Sequence, residues 1–196
     1  MESFLYLCTI KNRIMDIAQQ KRKENIAEYI LYLWQLEDLL RALQFSPEAI
    51  YSTLVKPRNL DSAHEQVLLA WYLDIAGLLA QERKEESGHL DHTLHLVADM
   101  QDLANRLMKL GVGADFRKAM GELTPMLPEL RAKMEGKEIG DIELCFRALY
   151  ASMLYRMKGE RSELTDNIIK VISPVISELA RVYKGVEEGT IELKDE

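Results

Sequence analysis

Apolar side chains recur along this chain three and four residues apart, the period of a helix that buries one face. From Ile17 to Leu43 the stripe is Ile26, Ile30, Leu33 and Leu40, with Tyr29 and Leu36 at one edge and Trp34 at the other. One long helix is expected there. Ser46-Pro47-Glu48 supplies a capping hydroxyl and a proline at the first helical position, opening a short helix to about Leu54 that Lys56-Pro57 ends. Asp61 can cap the next helix, over Ser62 to Glu86, with Leu68, Trp71, Tyr72, Ile75, Leu78 and Leu79 inward. A further helix over Leu90 to Leu110 turns Leu90, Val97, Met100, Ala104, Leu107 and Met108 inward, and Gly111 stands where a left-handed residue would close it.

The middle is more broken. Asp115 to Gly121 reads as a short helix, Pro125 and Pro128 restart it as a second piece to about Met134, and Gly136 and Gly140 bracket a turn. Asp141 can cap a helix to about Lys158 that is apolar on nearly every side, from Ile142, Leu144, Cys145 and Phe146 to Tyr155. A helix of that kind belongs at the centre of a fold. Ser162 starts the last helix, ending near Lys184, with Leu164, Ile168, Val171, Ile172, Val175, Leu179 and Val182 inward. Pro174 falls on its polar side, where it can bend the helix without entering the core. The pattern predicts an all-α protein: one helical bundle domain of about six or seven helices, mostly antiparallel neighbours across short loops. Residues 1–16 are expected to form a leader, 17–184 the helical domain, and 185–196 a frayed acidic tail.

Composition narrows the function classes. Five Pro and ten Gly in 196 residues leave little room for a turn-rich all-β architecture. No apolar run reaches the ~18 residues of a membrane-crossing helix. The apolar N-terminus lacks a basic flank and a small-residue cleavage site, and Lys11 and Arg13 follow it directly, unlike a signal peptide. Cys8 and Cys145 match no metal spacing and suit free thiols in a reducing cytoplasm. Much of the net charge of −7 sits in the tail, where Glu187, Glu188, Glu192, Asp195 and Glu196 face a single Lys194. The nearly neutral body has no footprint for nucleic-acid phosphates. Lys21-Arg22-Lys23, closed at once by Glu24, reads as a solvated face.

Candidate chemistry is sparse. His92, His95 and Asp99 share one side of a helix, with His89 and Asp91 just before it, a set that could ligate zinc or iron. That side lies opposite the apolar arc, so surface histidines without a metal are the expectation. A di-iron carboxylate bundle would need two Glu-x-x-His pairs. The one present, Glu86 to His89, straddles a predicted break. His64 falls on the inward side of its helix as a partly buried, hydrogen-bonded residue. Cys145 in its apolar helix is an inert thiol rather than a nucleophile. Gly111-Val112-Gly113 lacks the spacing and the Lys-Ser/Thr of a phosphate loop. No catalytic, cofactor-binding or metal residue is assigned.

Polar residues inside apolar stripes say more. Glu37 falls between Ile26 and Ile30 on the helical wheel, and Arg41 follows one turn on. An unpaired carboxylate there would be costly, so it is expected to be buried and to face a cation: Arg41, or Arg147 or Arg156 of the apolar penultimate helix. The same residues could instead line a ligand pocket with Trp34.

The segment Ile17-Ala18-Gln19-Gln20-Lys21-Arg22-Lys23-Glu24-Asn25-Ile26-Ala27-Glu28-Tyr29-Ile30-Leu31-Tyr32-Leu33-Trp34-Gln35-Leu36-Glu37-Asp38-Leu39-Leu40-Arg41 resembles the opening of an uncharacterised bacterial domain-of-unknown-function family. Ile142 to Tyr150 resembles that family's penultimate helix. The resemblance implies an all-helical cytoplasmic protein and carries over no activity. It would start near Met15, making Met15 the expected natural initiator. The resulting expectation is a non-enzymatic helical interaction or scaffold protein, either a homo-oligomer or a partner of another helical protein. The alternative is a small-ligand-binding or metal-assisted enzymatic bundle with a polar pocket around Glu37 and Arg41.

Overall fold

The single helix expected from Ile17 to Leu43 is two, because Asn25 interrupts it. Its side-chain Oδ1 accepts the Ala27 N–H at 3.0 Å, so it serves as an N-cap and starts a new helix. α1 is therefore Asp16–Glu24 and α2 is Ile26–Ala42. The computed structural model describes residues 16–133, 138–160 and 162–193. Residues 1–15 of the expected leader, the expected start at Met15, and the turn at Gly136 lie outside them. The described residues form helices and connections with no strand among them, and the chain is all-α.

The chain divides into two units. The first contains α1, residues 28–94 and so most of α2, followed by α3 (Pro47–Ile50), α4 (Ser62–Gln81) and the first turn of α5 (Asp91–Leu107). Ser46 caps α3 by accepting the Ala49 N–H, with Pro47 at the first position. One turn of π-helix and one of 3-10 helix then run through Pro57 to Arg58, where left-handed Asn59 ends the element. Asp61 caps α4 by accepting the His64 N–H at 3.0 Å. α4 stops at Gln81 rather than Glu86. Arg83 turns left-handed, with φ of 58°, and the Lys84 N–H closes back on the Leu79 carbonyl. The charged run expected as a helix end is therefore a tight turn. Leu33, Leu40, Ile50, Val55, Tyr72 and Leu79 form the heart of this unit's core.

The second unit holds the rest of α5, α6 (Ala114–Leu123), α7 (Leu127–Lys133), α8 (Asp141–Met157) and α9 (Glu163–Glu187). α9 packs on both α8 and α6. Gly111 is not left-handed. It opens a 3-10 turn, Gly111–Gly113, that Arg117 ties down by donating to the carbonyls of Leu107 and Leu110. Gly113 is buried there, and a Cβ on it would overlap the Leu107 carbonyl. α8 is capped by Gly140, not by Asp141, whose carboxylate instead meets Arg131 at 2.5 Å. Gln101 of α5 supplies the missing acceptor, taking the Ile142 N–H at 3.0 Å. Between Ile142 and Tyr150 α8 is mostly buried, with Glu143, Arg147 and Leu149 half-buried, and its last turn, Tyr155, Arg156 and Met157, is exposed. Ser162 and Thr165 form a capping box at the start of α9, and Pro174 lies on its exposed side. Ile168, Ile172, Val175, Leu179 and Val182 are buried, while Leu164, expected inward, is exposed. The residues after α9 fold back. Thr190 and Ile191 both donate backbone N–H groups to the Gly185 carbonyl, and Arg106 donates to the Leu193 carbonyl.

Candidate functional site

Glu37 is fully buried on the inner face of α2, and its partner is not an arginine. Its Oε2 meets His89 Nδ1 at 2.8 Å, and its Oε1 accepts the buried Leu90 N–H at 3.2 Å. As a carboxylate Glu37 can only accept, so Nδ1 of His89 carries the proton in this pair. The His89 ring stacks on Trp34 one turn earlier in α2, with centroids 3.8 Å apart and planes 7° from parallel. The Trp34 indole N–H donates to the buried Thr93 hydroxyl at 3.1 Å, and Thr93 donates onward to the Leu90 carbonyl at 2.8 Å. Glu82 accepts the Asp91 N–H at 2.7 Å. Two carboxylates therefore take N–H groups at the start of α5, the end that favours negative charge.

Arg41 lies beside this network and serves the backbone. Its guanidinium donates to the carbonyls of Lys84 and Gly88, and to the Asp38 carboxylate at 2.8 Å. Together Glu37 and Arg41 clamp the connection from α4 to α5. Among the described residues no buried side-chain nitrogen or oxygen lacks a hydrogen-bond partner. The cluster satisfies itself.

The other expected members lie elsewhere. Arg147 pairs with Glu143 one turn back on α8, at 2.7 Å, and Arg156 pairs with Asp166 at 3.0 Å on the exposed last turn. Each finds a carboxylate on its own surface, so neither serves Glu37. His89 and His92 are not surface histidines: His89 is 12% exposed against Trp34, and half-buried His92 places Nε2 3.4 Å from the Tyr29 hydroxyl. His95 is exposed. Among the described residues no group of three or more His, Cys, Asp or Glu is placed to hold a metal. His64 is half-buried and meets Asp61 at 2.5 Å. The N–H of His64 is the main reason the Asp61 carboxyl sits below its usual range. Burial, helped by the Asp141 charge and opposed by Arg131, pushes the Cys145 thiol up to about 12.

Among the grooves of the described residues, one in each unit has a mainly apolar lining, and neither of these two is lined by Glu37, Arg41 or Trp34. One, in the second unit, has a volume of about 500 Å³ between α7, α8 and the start of α9. Leu130, Ala148, Ala151, Tyr155, Leu164 and Ile168 give it an apolar lining, with Lys133 and Glu160 also present. Tyr155 and Leu164 of this lining are 50% and 44% exposed, while Met157, 62% exposed, lies on the opposite side of α8. The other groove, in the first unit, has a volume of about 240 Å³ and draws residues from α1, α2, α4 and α5. Sequence reading missed both, because each needs the packing of separate helices.

No helix among the described residues is long and apolar enough to cross a membrane. No curated protein and no solved structure matches the chain. One family model does, over residues 15–190, nearly the whole length. The chain belongs to the family DUF4924, a domain of unknown function.

Proposed function

We propose that the chain is a helical interaction protein that pairs with a second copy through the face built by α7, α8 and the first turn of α9. The observation that supports this reading is the pairing of a hole with knobs on one surface. The apolar groove there is open to solvent, and Tyr155 and Leu164 stand exposed on its lining. A twofold interface uses the same patch on both partners, so one face has to offer both a cavity and something to fill it. Leu164 and Tyr155 are suited to the second part, each presenting a large apolar body to solvent. Exposed apolar groups gathered around a groove mark interaction surfaces more often than scattered ones do. The buried, unpaired Cys145 thiol fits a reducing, cytoplasmic setting for this role.

Sedimentation equilibrium tests the reading. The parent is expected to be a dimer at micromolar concentration. Leu164→Asp places a charge on the knob and Ala151→Glu fills the hole with one. Each should yield a monomer with unchanged circular dichroism. A parent that stays monomeric at high concentration, or a dimer that both substitutions leave intact, would overturn it.

A further inference from the structure

The larger groove carries a charge pattern of its own. Its lining holds one cation and one anion: Lys133 at the end of α7, and Glu160 in the turn between α8 and α9. The rest of the lining is apolar or hydroxyl-bearing, so the lining as a whole is neutral. In a chain of net charge −7 that matters, because two acidic copies repel one another and a neutral contact face adds nothing to the repulsion.

Both charged residues are exposed in the single chain. Lys133 meets Glu129 one turn back on α7 at 2.7 Å, with the two side chains 46% and 65% exposed. Such a surface pair is screened and holds the ammonium weakly. An ammonium also has three N–H donors, so serving Glu129 leaves it able to meet a second acid. The Glu160 N–H donates to the Tyr155 carbonyl at 3.0 Å, which fixes the place of Glu160 on the turn beside the groove.

A twofold axis turns this pattern into a rule of recognition. Either each charge meets its own copy, or each meets the opposite charge of the partner. The first arrangement sets Lys133 against Lys133 and Glu160 against Glu160, like charges in a space that pairing closes to water. The second forms two equivalent ion pairs. We infer that, with pairing through this face as proposed above, Lys133 of each copy meets the partner's Glu160, and that these reciprocal contacts set the register and select a second copy of this chain. The apolar side chains supply the affinity, and the charges supply the choice of partner.

Charge reversal tests this. Lys133→Glu makes the charged lining wholly acidic and Glu160→Lys makes it wholly basic, so each variant meets its own copy with two like-charge contacts. Sedimentation equilibrium at about 50 mM salt keeps screening weak. Each variant alone should self-associate about tenfold or more weakly than the parent. An equal mixture of the two should return to dimers of parental affinity, since each supplies the charge the other lacks. That recovery also shows both variants to be folded. A monomeric parent would overturn the pairing reading and this assignment together. A dimeric parent whose two variants pair as tightly as it does would overturn the assignment alone, as would a mixture that associates no more tightly than the variants apart.

Discussion

Replacing Glu37 by alanine removes one side chain and strands two groups. The Leu90 N–H is buried and loses its acceptor, which costs about 1–3 kcal/mol when nothing replaces it. The His89 Nδ1–H loses its partner too, though its 12% exposure lets water reach it and soften that loss. The space left by the carboxylate adds a cavity term of about 1 kcal/mol. Together these give about 3 kcal/mol, in the range for breaking a buried pair from one side. Glu37→Gln keeps the volume and leaves an amide oxygen for Leu90, so it should cost about 1 kcal/mol. Both tryptophans, Trp34 and Trp71, lie in the first unit. Urea unfolding followed by their fluorescence therefore reports the unit that holds Glu37, with a lower midpoint expected and an unchanged slope. An alanine variant within about 0.5 kcal/mol of the parent would refute the reasoning, as would a glutamine variant as unstable as the alanine one.

Other substitutions separate local causes. Gly113→Ala should destabilise by more than 1 kcal/mol, roughly, because its Cβ meets a backbone carbonyl that cannot move aside. Gly121→Ala, in α6 with open space around it, should gain about 0.5–1 kcal/mol; thermal melts of the two give opposite signs. Cys145 should resist iodoacetamide in the native protein and react only on unfolding, which peptide mapping reads out, since its thiol is buried and its pKa lies far above neutral. Deleting residues 188–196 should lower stability by about 1 kcal/mol, because Ile191 folds against Gly185; an unchanged melting temperature would mean that this contact contributes nothing.

The helices were legible because their apolar periodicity is regular, and so was the depth of Glu37, which sits mid-stripe on α2. Its partner was hidden by an error of five residues. Extending α4 to Glu86 erased the left-handed turn at Arg83, and that turn brings Lys84, Gly88 and His89 back over α2. His89 also precedes the first residue of α5, so a helical wheel says nothing about where it points. Arg147 and Arg156 misled for a related reason. α8 looks apolar throughout, yet one arginine reaches back to Glu143 and the other sits where the helix emerges into solvent. Thr93 left no signal beyond the need of a buried Trp34 indole for some acceptor. The fold-back at Gly185 was masked by the acidic residues around Ile191. Patterns within one helix were readable, while contacts set by a turn or a second helix were not.

The claim that this face joins two copies is tested most directly at the Leu164 methyl groups, which are exposed on the groove lining. Protein with ¹³C-labelled leucine methyls is mixed equally with unlabelled protein, and isotope-filtered nuclear Overhauser spectra then report only contacts between copies. The account predicts cross-peaks from the Leu164 methyls to aliphatic or aromatic protons of the groove, among them Ala151, Tyr155 and Ile168, lost on Ala151→Glu. A spectrum with no intermolecular cross-peak at those methyls would contradict it.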